Sequence, residues 1–83
     1  MATTWAQRVG VRAKRIRQAK GLGFESVARS ARLGIGALSE IENGKREARL
    51  DGYSRLAKAL GVTLADLLGL EPPRVDEGAG EGR

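Results

Sequence analysis

Apolar positions recur at three- and four-residue spacing along most of the chain, which is the period of helices that each bury one face. The first such stretch opens at Thr4 and Gln7, whose Thr-x-x-Gln spacing is that of a capping box, so a helix is predicted to begin near Trp5. Val9, Ala13 and Ile16 share one face of it, Arg8, Arg12, Lys14, Arg15 and Arg17 take other directions, and Gly21 suits a left-handed cap after an end at about Lys20. Val27, Ala28 and Ala31 predict a short second helix from Glu25 to Ala31, with a weakly signalled start because Gly23 caps less well than Ser or Asp. Leu33, Leu38 and Ile41 give a third stripe, and a helix over residues 35–42 fits between Gly34 and the Asn43-Gly44 break. Leu50, Tyr53, Leu56, Ala57 and Leu60 carry a fourth helix up to Gly61. Thr63-x-x-Asp66 then starts a short fifth one, with Leu64, Leu67 and Leu68 running into Gly69.

The fold class predicted is therefore all-α, a compact five-helix domain over residues 1–70. From Glu71 the chain turns to Pro-Pro, Gly and acidic residues with Val75 as the one large apolar side chain. Such a segment buries too little surface to offset its ordering entropy, so residues 71–83 read as a disordered tail. A length of 83 residues suits one small domain. Three aromatics (Trp5, Phe24, Tyr53) and few β-branched residues disfavour a sheet.

Charge sharpens this picture. The net charge is +5, but residues 1–60 hold 13 basic against five acidic side chains, whereas residues 71–83 hold four acids against Arg74 and Arg83. A cationic folded body fits either a solubilising surface or a polyanionic partner, since every phosphate neutralised releases condensed counterions.

The chemistry available is narrow. Cysteine and histidine are both absent, which disfavours disulfides, thiolate chemistry and zinc, and leaves Ser26, Ser30, Ser39 and Ser54 without a histidine base. Glu40 and Glu42 lie two apart on a helix and point in different directions, so they cannot act as a carboxylate pair. The glycines fall at caps and turns, and no Gly-Lys-Ser/Thr phosphate loop exists. The expectation is a non-enzyme without cofactor or metal. With no apolar run of about 20 residues and no apolar N-terminal core, no membrane association is expected, and a cytoplasmic location is.

Two short helices joined by a tight connection, Val27 to Ile41, have helix-turn-helix spacing. From about Val9 to Leu68 the chain resembles, without gaps, the Cro/C1-type (Xre) repressor family. Val9, Gly10, Arg12 and Arg17 match its opening pattern, and Lys20-Gly21-Leu22 its Lys-Gly-Leu. The densest match is Leu38-Ser39-Glu40-Ile41-Glu42-Asn43-Gly44-Lys45-Arg46, followed in register by Leu56-Ala57-Lys58-Ala59-Leu60-Gly61-Val62. Three positions depart from the family. Phe24 replaces a glutamine at the start of helix 2, Gly34-Ile35-Gly36-Ala37 replaces the usual polar opening of the recognition helix, and Glu47-Ala48 replaces an Asn-Pro-like turn.

The resemblance implies a transcription regulator that reads double-stranded DNA with helix 3, as a repressor bound as a homodimer to a roughly palindromic operator. Ile35, Gly36, Ser39 and Glu40 match base-reading positions: Ile35 against a thymine methyl, Glu40 accepting from a cytosine amino group, and Gly36 bringing backbone near the duplex. Arg12, Asn43, Lys45, Arg46 and Arg49 match phosphate-contacting positions, and Phe24 stands where the family glutamine and its helix N-terminus hold a phosphate. Arg17 and Glu42 match a structural ion pair between helices 1 and 3. Two alternatives stay open: a protein-interaction module using the apolar start of helix 3, and an antitoxin-like regulator engaging a toxin through its tail.

Overall fold

The computed structural model describes residues 4–70. They form five helices, α1 (Trp5–Ala19), α2 (Phe24–Ser30), α3 (Ile35–Glu42), α4 (Leu50–Leu60) and α5 (Leu64–Leu68), with no strand among the described residues. The expected tail, residues 71–83, lies outside the described residues. Helix order and number are those predicted, and the small difference is at α2, which starts one residue earlier and leaves Ala31 as its C-cap. No helix among the described residues is long and apolar enough to cross a membrane.

Local chemistry accounts for the ends. At α1 the Thr4 hydroxyl accepts from the Gln7 amide (3.1 Å) while the Gln7 side chain accepts from the Thr4 amide (2.9 Å). Thr63 and Asp66 repeat this at α5, at 3.0 and 3.3 Å. Each box satisfies two amides that a helix start leaves without partners. Three C-termini carry, besides their backbone caps, a cation reaching from far along the chain. The Arg12 guanidinium donates to the Asp66 carbonyl at the end of α5, and Lys20 Nζ to the Leu60 carbonyl at the end of α4 (2.8 Å). Arg55 Nε donates to the Ala31 carbonyl at the end of α2 (2.8 Å). Each cation adds a donor to a carbonyl at the negative end of a helix dipole.

The core is aliphatic. Val9, Leu38, Ile41, Leu56, Leu60 and Leu67 are its largest fully buried side chains, and burying each stabilises by about 1.5–3 kcal/mol. Helix α1 lies against α3 and α5, and α4 against α2 and α5. The α1–α3 contact is a backbone contact, because a β-carbon on Gly10 would overlap the Ile41 carbonyl oxygen and approach that of Glu42 to 2.9 Å. A β-carbon on Gly44, at φ +73°, would come within 2.7 Å of the Gln7 side chain and 2.9 Å of its Cα, so α1 is clamped to the C-terminal end of α3 at two points one turn apart.

Candidate nucleic-acid interface

Helix α3 runs for eight residues with Leu38, Ile41 and Glu42 buried. At about 100° per residue, Ile35, Gly36, Ser39, Glu40 and Asn43 fall within an arc of about 140°, opposite Leu38 and Ile41. All but the partly buried Ser39 are exposed. Ile35 retains half of its accessible surface, and a β-carbon at Gly36 would meet nothing within 4 Å. The structure thus gathers the four candidate base-reading residues and Asn43 into one outward stripe.

Behind the stripe sits a buried ion pair. Arg17 donates to both carboxylate oxygens of Glu42, Nε at 2.8 Å and Nη2 at 3.1 Å. Its Nη1 reaches the Leu22 carbonyl at 3.4 Å. The side chains are 13% and 6% exposed. Phe24 covers the guanidinium with its ring centroid 5.3 Å from Cζ, a cation–π distance. The Glu42 hydrogen bond, reinforced by its charge, holds the guanidinium above its ordinary pKa, while burial opposes the shift. Arg17 thereby ties α1, the start of α2 and the end of α3 into one unit, and Phe24 serves that unit by packing.

The loop after α3 carries Lys45, Arg46 and Arg49, all exposed. Lys45 and Arg49 have no side-chain partner among the described residues, and Arg49 leaves the first turn of α4 without a side-chain cap. Arg46 is engaged: its Nε donates to Glu40 Oε1 at 2.7 Å across a half-exposed salt bridge. Glu40 and Arg46 therefore act as a couple on the α4 side of the stripe.

Arg12, expected at a phosphate, is exposed, lies about 200° around α1 from Gly10, and donates from its guanidinium to the Asp66 carbonyl in α5. Conversely, residues not singled out from sequence line the other flank. A groove of about 360 Å³ takes Val11, Lys14, Arg15 and Gln18 from α1 and, at the end of α3, Glu42 and the already expected Asn43. The available signal was the four-residue step from Gly10 to Lys14 to Gln18, which puts them on one line of α1.

Two short helices, one braced from behind and the other presenting an exposed stripe beside a basic loop, define a helix-turn-helix domain. Residues 8–77 match the family model described as a helix-turn-helix domain, and the chain belongs to that family, in its Cro/C1 (Xre) branch. The HTH-type transcriptional regulator DdrOP3 of Deinococcus deserti is 33% identical over 57 residues, 69% of this chain and 44% of that protein. The chain thus spans less than half the length of this curated relative. The clp gene regulator ClgR of Corynebacterium glutamicum superposes with a TM-score of 0.77 at 29% identity, covering 80% of this chain and 70% of that one. The restriction-modification controller protein C.AhdI of Aeromonas hydrophila gives 0.72 at 31% identity, over 75% of this chain and 94% of that one.

Proposed function

We propose that this domain binds double-stranded DNA sequence-specifically and regulates transcription, as a repressor acting in two copies on an inverted-repeat operator. The observation that carries the reading is the exposed α3 stripe, rigidly backed by the Arg17–Glu42 pair and flanked by cations. An eight-residue helix rises only about 12 Å, so it reaches a few base pairs. Two-fold pairing with recognition helices about 34 Å apart supplies the rest of a usable site. Repression is the simplest regulatory mode because occupancy of an operator suffices for it. The relatives, named as a transcriptional regulator, a gene regulator and a controller protein, support the same class of activity.

Direct readout on this surface falls to Ile35, Ser39 and Glu40, with Gly36 permitting close approach. Asn43, Lys45, Arg46 and Arg49 supply contacts to the sugar-phosphate backbone. Neutralising Z phosphates gives a log–log salt slope of about −0.9Z, so three loop cations alone predict about −2.7 per protomer. Anisotropy titrations of a duplex at several salt concentrations test this, and a slope near zero overturns it. Lys45→Ala should weaken binding similarly on all sequences. The half-exposed Ile35 favours one second reading, in which this end of α3 docks an apolar protein partner. Under it, Ile35→Ala would leave DNA affinity unchanged.

A further inference from the structure

We propose that the groove between α1 and the C-terminal end of α3 is a second phosphate-backbone seat, in which Lys14, Arg15 and Gln18 join Asn43 in holding one strand of the duplex. The inference rests on the DNA-binding reading and assigns it a contact surface on α1.

The geometry comes from the orientation of α3. Its exposed stripe has two edges. On the α4 side lie Arg46, bonded to Glu40, and Arg49, both bordering a groove with Ala37 and Ile41. On the α1 side lies Glu42, followed by the C-cap Asn43 within the stripe itself, and both border the groove shared with Val11, Lys14, Arg15 and Gln18. Ala37 and Ile41 stand at about 200° and 240° from Ile35 around the helix, Glu42 and Asn43 at about 340° and 80°, so the grooves open on different sides. A helix inserted in a major groove about 12 Å wide has a phosphate backbone on either side of it. The loop cations can serve one strand, and the α1 groove is built to serve the other.

The chemistry of this groove suits a phosphodiester. Lys14 and Arg15 are exposed cations with no side-chain partner among the described residues, and Gln18 and Asn43 add amide donors. The one carboxylate bordering it, Glu42, already accepts two hydrogen bonds from Arg17 and is buried, so its charge is offset. The walls are fixed, because Gly10 and Gly44 lock α1 against the end of α3 in direct backbone contact. The groove, about 360 Å³, lies open at the surface, as seating an extended strand requires.

The test compares the intact chain with two charge-matched double variants in salt-dependent anisotropy on one random-sequence duplex pool. Lys14→Ala with Arg15→Ala should lower the magnitude of the salt slope by about 1.8, from two lost phosphate contacts, and weaken binding at least tenfold at low salt. Arg29→Ala with Lys58→Ala removes the same charge elsewhere and should leave the slope within about 0.5 of the intact chain, since neither residue borders either groove beside α3. Gln18→Ala should weaken binding without changing the slope. An unchanged slope in the Lys14/Arg15 variant, or equal losses in both double variants, overturns the proposal while leaving the DNA reading standing. Failure of the intact chain to bind the duplex overturns the DNA reading itself. Thermal melts establish that each variant is folded.

Discussion

Removing Arg17 should damage this domain more than removing Glu42, although the two are partners. Losing one member of a buried pair costs roughly 3–5 kcal/mol, because the survivor is left charged and poorly solvated. The survivors differ here. In Arg17→Ala the carboxylate of Glu42, 6% exposed, loses both donors it has. In Glu42→Ala the guanidinium keeps the Leu22 carbonyl and the Phe24 ring, and being 13% exposed it can turn toward water. Arg17→Ala is therefore expected at the upper part of that range and Glu42→Ala at the lower. At about 4–8 °C per kcal/mol for a domain of this size, both should lower Tm by at least about 12 °C. Replacing both together, Arg17→Met with Glu42→Leu, should recover most of the loss, since a well-packed apolar pair removes the desolvation problem. The wild-type pair carries no pH dependence in the neutral range from Arg17. Its raised pKa keeps the stabilising charge fully present below the ordinary arginine value, and that contribution is lost only as pH rises through the raised one. Calorimetric melts decide the matter. Single variants that melt like the parent but no longer bind DNA would show that the pair belongs to the interface and not to the scaffold.

Three further outcomes follow from individual contacts. Glu40→Gln should change the preferred base at one position per half-site, by about 1–3 kcal/mol of discrimination, and also release Arg46, so that binding to non-specific duplex stays equal or rises. A uniform gain on every sequence, read from operators varied one base at a time, would remove Glu40 from the readout. Gly10→Ala should lower Tm even though alanine favours helix by about 1 kcal/mol. The added methyl meets the Ile41 backbone carbonyl, and overpacking of this kind costs about 1–3 kcal/mol; a raised Tm would mean that α1 and α3 are not in backbone contact. Arg32, the one non-glycine with positive φ among the described residues (57°), sits in the turn between α2 and α3. Left-handed backbone costs a side-chain-bearing residue roughly 1–2 kcal/mol, so Arg32→Gly should raise Tm by a few degrees, and a drop in Tm would refute that strain.

Local signals made the helices legible in the sequence. The Thr4/Gln7 and Thr63/Asp66 boxes lie three residues apart, and the breaks at Gly21, Gly44, Gly61 and Gly69 are single-residue properties of the chain. Helix α2, lacking a capping side chain at Gly23, is also where the predicted boundary slipped. The outward stripe of α3 was legible for the same reason, since it follows from helical period once Leu38 and Ile41 are taken as core. What was not legible depends on which cation meets which distant group. Arg12 bonds a carbonyl 54 residues away, Lys20 one 40 away and Arg55 one 24 away. In the sequence these cations are indistinguishable from Lys14 or Lys45. The Glu40–Arg46 couple and the α1 groove likewise depend on where the loop and α1 pass α3. The Arg17–Glu42 match came from the resemblance alone, because 25 residues separate the partners.

Regulation by this domain requires that α3 read duplex DNA. Selection of bound sequences from a random duplex library with the purified chain tests it most directly. The expected outcome is enrichment of an inverted repeat with half-site centres about one helical turn apart, roughly 10 base pairs, and loss of that enrichment, with salt-sensitive binding retained, when Ile35, Ser39 and Glu40 are replaced together by alanine. A library that emerges without any enriched sequence, or an enriched sequence that survives the triple substitution unchanged, would contradict it.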